Sequence, residues 1–194
     1  MRDIWKEVIR GFGLKVVIIR HAEVDLVWSK RSTSEEFDAE CRMYDEAAIK
    51  KNDYEIPQME FQKIYISALP RTRATAELLF PERKFTVTKL INEVPLGSSF
   101  DTKKKMPLWV WNVSGRLQWF LNSSRQAERK SETRKRARRF IRTLIKENVD
   151  CAIVTHGFFM HTLIKEMKKC GFKVDNNHSK FKNGECVIAT KTEA

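Results

Sequence analysis

Leu14-Lys15-Val16-Val17-Ile18-Ile19-Arg20-His21-Ala22 is the stretch that decides the fold. Four consecutive β-branched residues in a short apolar run, preceded by Gly11 and Gly13, read as a central strand of an α/β sheet. Open α/β sheets collect their chemistry at the carboxyl ends of their strands. An arginine and a histidine at that end therefore read as part of a reaction site. A second stretch repeats the arrangement: Asp150-Cys151-Ala152-Ile153-Val154-Thr155 runs directly into His156 and Gly157. Two of the four histidines thus occupy equivalent places.

Working outward, strand-like runs fall at 14–19, 63–67, 85–89, 150–155 and 185–190, with helix-like segments at 35–51, 71–80, 131–148 and 158–169. No repeat or low-complexity linker divides them, so a single domain over residues 1–194 is expected. Such alternation predicts an α/β fold, a three-layer α/β/α sandwich with a mostly parallel central sheet. In the last helix Met160, Leu163, Ile164 and Met167 form one apolar stripe, and Gly171 is placed to terminate it. Residues 100–122 carry Phe100, Trp109, Trp111, Trp119 and Phe120 with few helical or strand cues, and read as a satellite core rather than a pocket wall.

Composition narrows the class. With 42% hydrophobic and 32% charged residues the 194-residue chain is that of a globular protein with a sizeable core. No apolar run approaches the roughly 18 residues of a transmembrane helix. Residues 1–7 place acids where a signal peptide needs an apolar region, so a cytoplasmic setting without membrane partners is expected. Cys41, Cys151, Cys170 and Cys186 lack C-x-x-C spacing and suggest neither a zinc site nor a disulfide framework. Much of the net charge of +12 is local: residues 125–146 hold ten Lys or Arg, while Ala137, Phe140, Ile141, Leu144 and Ile145 recur at helical spacing. That pattern reads as an amphipathic helix with a solvated cationic face, and nucleic acid is not an expected partner.

Between the two histidine-bearing strands lies Ile64-Tyr65-Ile66-Ser67-Ala68-Leu69-Pro70-Arg71-Thr72-Arg73-Ala74-Thr75-Ala76. Ser67 reads as a cap in the turn and Pro70 suits a helix entrance. Arg71 would then lie in the first turn, at the positive end of the helix dipole, which implies a bound negative partner. Taken with Arg20-His21-Ala22 and Thr155-His156-Gly157, the pattern Ser67-x-Leu69-x-Arg71-Thr72-x-x-Thr75-Ala76 resembles the histidine phosphatase superfamily, the phosphoglycerate-mutase-like enzymes. Ala22 stands where that family usually has glycine. Leu90-Ile91-Asn92-Glu93 resembles the acidic element of the family, and Glu132-Thr133 with Arg138 resembles a structural helix start.

The resemblance implies a phosphomonoester hydrolase without metal or cofactor. In it His21 attacks phosphorus, Arg20, Arg71 and a protonated His156 hold the phosphoryl group with His21, and Glu93 is acid and then base. The charge logic agrees, because a phosphomonoester repels nucleophiles until its negative charge is neutralised, and guanidinium forks match phosphate oxygens. Adjacent arginines also favour the neutral, nucleophilic form of His21. Glu23 and Asp25 compete with Glu93 for the proton-donor role. His156 and His161 are separated by roughly 140° around a helix, which excludes a one-face metal pair; His161 and His178 read as ordinary polar residues.

Residues 28–38 and 43–47 depart from the substrate-recognition elements of the mutases, which favours a phosphatase acting on some other small phosphorylated metabolite or on a phosphoprotein. Lys30 and Arg31 in the first of these segments read as surface charges. Two alternatives remain at this point: a mutase-type phosphotransferase using the same His21 intermediate, and a non-catalytic module binding a phospho-ligand or nucleic acid.

Overall fold

The computed structural model describes residues 13–175 and 180–192. Residues 1–7 and His178, read above from sequence, lie outside the described residues. A six-stranded sheet forms the middle layer, in the order β4-β3-β6-β1-β8-β7. Its strands are β1 (Gly13–Arg20), β3 (Lys63–Ile66), β4 (Thr86–Val87), β6 (Cys151–Thr155), β7 (Lys173–Asp175) and β8 (Cys186–Thr192). Strands β4, β3, β6 and β1 run parallel, and β8 and β7 extend the sheet antiparallel beyond β1. A separate two-stranded ribbon pairs β2 (Arg31–Ser32) with β5 (Met106–Pro107). Among the described residues five helices complete the layers: α1 (Ser34–Glu46), α2 (Pro70–Leu79), α3 (Leu108–Phe120), α4 (Lys130–Glu147) and α5 (Gly157–Lys169).

Strand β1 is buried on both faces, as its run of β-branched residues predicts. Val16 and Ile18 join one core with Phe140, Ile141 and Leu144 of α4 and Phe159, Leu163 and Met167 of α5. Val17 and Ile19 join the opposite core with Ala76 and Phe80 at α2 and with Ile64, Ile66 and Val154. Period-2 alternation thus sends successive residues into different helical layers, and each fully buried Val or Ile contributes about 1.5–3 kcal/mol.

The final helix ends as its sequence predicts. Gly171 is left-handed (φ +84°), with its N–H on the Lys168 carbonyl and that of Phe172 on the Met167 carbonyl, a Schellman closure. In α4 the stripe Ala137, Phe140, Ile141 and Leu144 is buried, whereas Ile145 turns outward.

Other boundaries moved for local reasons. The helix expected over 35–51 stops at Glu46, because residues 48–50 pair with the stretch after β1: Asp25 N–H donates to the Ala48 carbonyl and Lys50 N–H to the Glu23 carbonyl. The strand expected over 85–89 shrinks to two residues, after which Thr88 caps a 3₁₀ turn over Lys89–Ile91. Helix α3 was not foreseen. It is apolar on nearly every side, so no single stripe marked it.

Candidate active site

Strand register builds the site. Arg20 of β1 pairs with Thr155 of β6, so the next residue on each strand is a histidine, and His21 N–H donates to the Thr155 carbonyl at 2.9 Å. The rings of His21 and His156 lie with centroids 5.1 Å apart. On the other side of β6, Ile66 pairs with Val154, which brings Ser67 and the entrance of α2 to the same edge. Three parallel strands therefore deliver three motif segments to one end of the sheet.

His21 is 2% exposed. Its Nδ1 lies 2.7 Å from the Ala22 carbonyl oxygen, an acceptor only, so Nδ1 carries the proton and Nε2 keeps its lone pair. Burial, followed by the Arg71 and Arg20 charges, holds its pKa down at about 3, and the ring is neutral at physiological pH. Asn183 clamps the turn by donating to the His21 and Ala22 carbonyls at 3.0 and 3.1 Å. Ala22 N–H reaches the Thr75 hydroxyl at 2.9 Å, and the backbone there is not left-handed, which is why alanine fits where the resembling family has glycine.

Arg71 is 1% exposed. Its Nε donates to His156 Nδ1 at 3.2 Å, Nη1 reaches Asp45 at 2.9 Å, and its guanidinium lies 5.0 Å from the Tyr44 ring centre. Arg20 gives Nη1 to the Phe181 carbonyl, while its Nε is buried with no acceptor. That side chain packs over Gly157, where a Cβ would come within 2.9 Å of Arg20 Nε.

His156 departs from the expected protonated donor. It is fully buried, its Nδ1 already accepts from Arg71, and its Nε2 sits 2.8 Å from the Ser67 hydroxyl. Burial first, then the Arg71 charge, pushes its pKa well below the ordinary histidine value, so the unliganded ring is neutral. Ser67 is correspondingly not the α2 cap: Leu69 holds that position, and the Ser67 hydroxyl serves His156, Thr72 and the Leu69 N–H instead.

Glu93 reaches the site from the loop after the 3₁₀ turn. Its Oε1 accepts from Val94 and Phe159 N–H at 2.8 and 2.9 Å, and Oε2 accepts only from Phe158 N–H at 3.3 Å. The carboxylate thus sits on the free N–H groups at the start of α5. The loop is fixed by the Thr155 hydroxyl on the Ile91 carbonyl, by Arg136 on the Leu90 and Asn92 carbonyls, and by Arg116 on the Val94 carbonyl. Glu23 instead pairs with Lys50 outside the cleft, and neither it nor Asp25 lines it. Glu132 accepts the Arg129 N–H at 2.8 Å at the start of α4, and Thr133 accepts from the Trp119 indole, both structural tasks.

Arg20, His21, Arg71 and Glu93 open on a cleft of about 1070 Å³, whereas the fully buried His156 lies behind them and is not among its lining residues. Trp28, Tyr44 and Asp45 line one part of the cleft, and Asn112 and Arg116 of α3 line another, so the aromatic-rich segment is both core, through fully buried Trp111, and wall. Arg31 stays at the surface ribbon, where it donates to the Lys105 carbonyl. His161 lines the cleft beside Phe181 (ring centroids 4.9 Å apart), a position that its place in an apolar helix did not announce. Tyr44, Asp45 and Asn183 were likewise not singled out, although the first two fall within the segments flagged as divergent. Among the described residues, no three His, Cys, Asp or Glu side chains are grouped as a metal site. No described helix is long and apolar enough to cross a membrane.

The profile of the histidine phosphatase superfamily (branch 1) matches residues 16–190. Among solved structures, the chain is similar to a phosphoglycerate mutase from Bacillus anthracis (15% identity, 94% of this chain and 89% of that one, TM-score 0.60). It is also similar to a putative α-ribazole-5′-P phosphatase from Escherichia coli K-12 (15% identity, 91% and 90%, TM-score 0.55) and to a mycobacterial glucosyl-3-phosphoglycerate phosphatase (16% identity, 81% and 80%, TM-score 0.53). At these identities the likeness is one of fold. Comparison with curated protein sequences returned no match.

Proposed function

Since the chain belongs to the histidine phosphatase superfamily, branch 1, we propose that it hydrolyses phosphomonoesters through a phosphohistidine on His21. The observation that carries this reading is the state of His21: a neutral ring whose Nδ1 proton is held by the Ala22 carbonyl, leaving Nε2 free beside Arg20 and Arg71.

In the first displacement His21 Nε2 attacks phosphorus and Glu93 protonates the leaving oxygen. Oε2 is the atom for this task, because Oε1 already serves two N–H donors. The Nδ1–H bond to Ala22 supports the positive ring that forms. In the second displacement Glu93 takes a proton from water as the water attacks phosphorus, and His21 leaves as a neutral ring. Arg20 and Arg71 bind the phosphoryl oxygens, and the orphaned Arg20 Nε gains an acceptor when an anion arrives. His156 joins the phosphate-binding set by exchanging one of its present partners, the Arg71 Nε or the Ser67 hydroxyl, and a bound dianion, which raises its affinity for a proton, favours that exchange. The arginines supply positive charge that needs no metal.

The expected substrate is a small phosphorylated metabolite or a phosphoprotein, and the expected setting a single cytoplasmic domain. A screen of phosphorylated metabolites and phosphopeptides with native and His21→Ala protein, in the presence of a chelator, tests the proposal. Phosphate release by the native protein alone is expected. Release that survives in His21→Ala, or that stops with chelator, contradicts it, and phosphoryl return to an acceptor alcohol in place of water would instead indicate a mutase-type transferase.

A further inference from the structure

The cleft is far larger than a phosphoryl group, and its charges are unevenly committed. Its acidic lining residues are all occupied: Asp38 accepts from the Ser98 N–H and hydroxyl at 2.7 and 2.9 Å, Asp45 holds Arg71, and Glu93 receives three backbone N–H groups. Of the basic residues, Arg20 and Arg71 belong to the phosphoryl end, Arg125 is forked onto Asp101, and Lys180 precedes Phe181, whose carbonyl holds Arg20. Arg42 lines the cleft with no hydrogen bond or ion pair among the described residues.

Arg116 is the better placed of the two remaining guanidinium groups. Its Cζ lies 3.7 Å from the Phe158 ring centre and its Nη1 donates to the Val94 carbonyl at 3.0 Å, next to Glu93. Nε and Nη2 have no protein acceptor among the described residues and are not closed off from the cleft. No carboxylate pairs with this half-buried charge, and burial depresses its pKa. Its acceptors are the Val94 and Pro95 carbonyls, and Glu93 and Glu128 act on it only at a distance, so two of its nitrogens gain a partner when an anion enters the cleft. Because Glu93 is the acid for the leaving oxygen, Arg116 stands on the leaving-group side. Arg42, on α1, lines the same cleft as Arg116, and its neighbour Cys41 lies close enough to feel the Arg116 charge.

We propose that the leaving group of the substrate carries a second anionic group, received by Arg116 with Arg42, an inference that rests on the phosphatase reading above. Phosphomonoesters without a second anionic group are then poor substrates, and the altered segment from Trp28 to Tyr44 contributes to specificity through Arg42.

Matched aryl phosphates test this at low ionic strength: 3- and 4-carboxyphenyl phosphate against the corresponding carbamoylphenyl phosphates, which differ in one charge. The expected result is a kcat/KM about tenfold or more higher for a carboxylate ester, as for one charge-assisted hydrogen bond. That ratio should fall toward one in Arg116→Gln and decrease in Arg42→Gln, with circular dichroism establishing that each variant is folded. Equal kcat/KM for the charged and uncharged esters in the native protein overturns the inference and leaves the phosphatase reading standing. So does a ratio that persists in a folded double variant. Hydrolysis of none of the esters overturns both.

Discussion

Gly157→Ala separates the proposed role of Arg20 from its contribution to the fold. The added carbon would lie 2.9 Å from Arg20 Nε and 3.2 Å from its Cδ and Cζ, so the guanidinium must shift by roughly 0.5 Å to restore ordinary contact at about 3.4 Å. The backbone at Gly157 is not left-handed and the residue is the first of α5, so the helix itself tolerates alanine there. Misplacement by about 1 Å of a group that positions substrate costs about 10²-fold in rate, so half that shift predicts a loss of about tenfold. The assay is kcat/KM on an aryl phosphate together with the inhibition constant of inorganic phosphate, with Tm measured in parallel. The expected outcome is a tenfold lower kcat/KM, weaker phosphate inhibition and an unchanged Tm. If Gly157→Ala keeps kcat/KM and phosphate affinity within twofold, Arg20 is not the phosphate fork.

Stability should fall with acid, because the folded His21 pKa of about 3 lies below the unfolded value of 6.5 and the unfolded chain therefore binds the extra proton between those limits. At pH 5 the loss relative to pH 7 is about 2 kcal/mol from His21 alone, with His156 adding in the same direction; urea unfolding at the two pH values measures it, and a folded His21→Asn variant should show a shallower dependence. Glu93→Gln retains an oxygen for the α5 N–H groups and should lower kcat by about 10²–10⁴-fold, whereas Glu23→Gln, outside the cleft, should stay within twofold; equal losses in both would refute the assignment. Asp45→Asn removes the anion that competes for Arg71 Nη1 and should tighten inorganic phosphate inhibition by about two- to fivefold, the modest size reflecting how exposed Asp45 is. Unchanged or weaker inhibition would mean that Asp45 does not compete with the ligand.

The central strands were legible because both faces of β1 and β6 are buried, and β-branched runs ending in histidine have few other uses. What strand ends alone could not convey is hydrogen-bond direction. His156 read as a cation, yet burial and the Arg71 Nε make it an acceptor, and Ser67 read as a cap although its hydroxyl turns to His156. Helix α1 was read too long because Ala47, Ala48 and Ile49 are compatible with helix, and only their pairing with residues 23–25 pulls them straight. Helix α3 was missed for the opposite reason: Trp109, Val113 and Leu117 are exposed while Trp111 and Trp119 are buried, so its pattern has no polar face to reveal the period. Arg116 stayed hidden with it.

The proposed mechanism requires a covalent intermediate at one atom, Nε2 of His21. Rapid acid-free quenching of native protein and Glu93→Gln during turnover, followed by peptide mass analysis, reads it directly. With an aryl phosphate whose leaving oxygen needs no proton, the mechanism predicts an acid-labile, base-stable phosphoryl group on His21 that accumulates in Glu93→Gln, where water attack is slowed, and is absent from His21→Ala. Turnover with no phosphoryl group on His21, or with the group on another side chain, would contradict it.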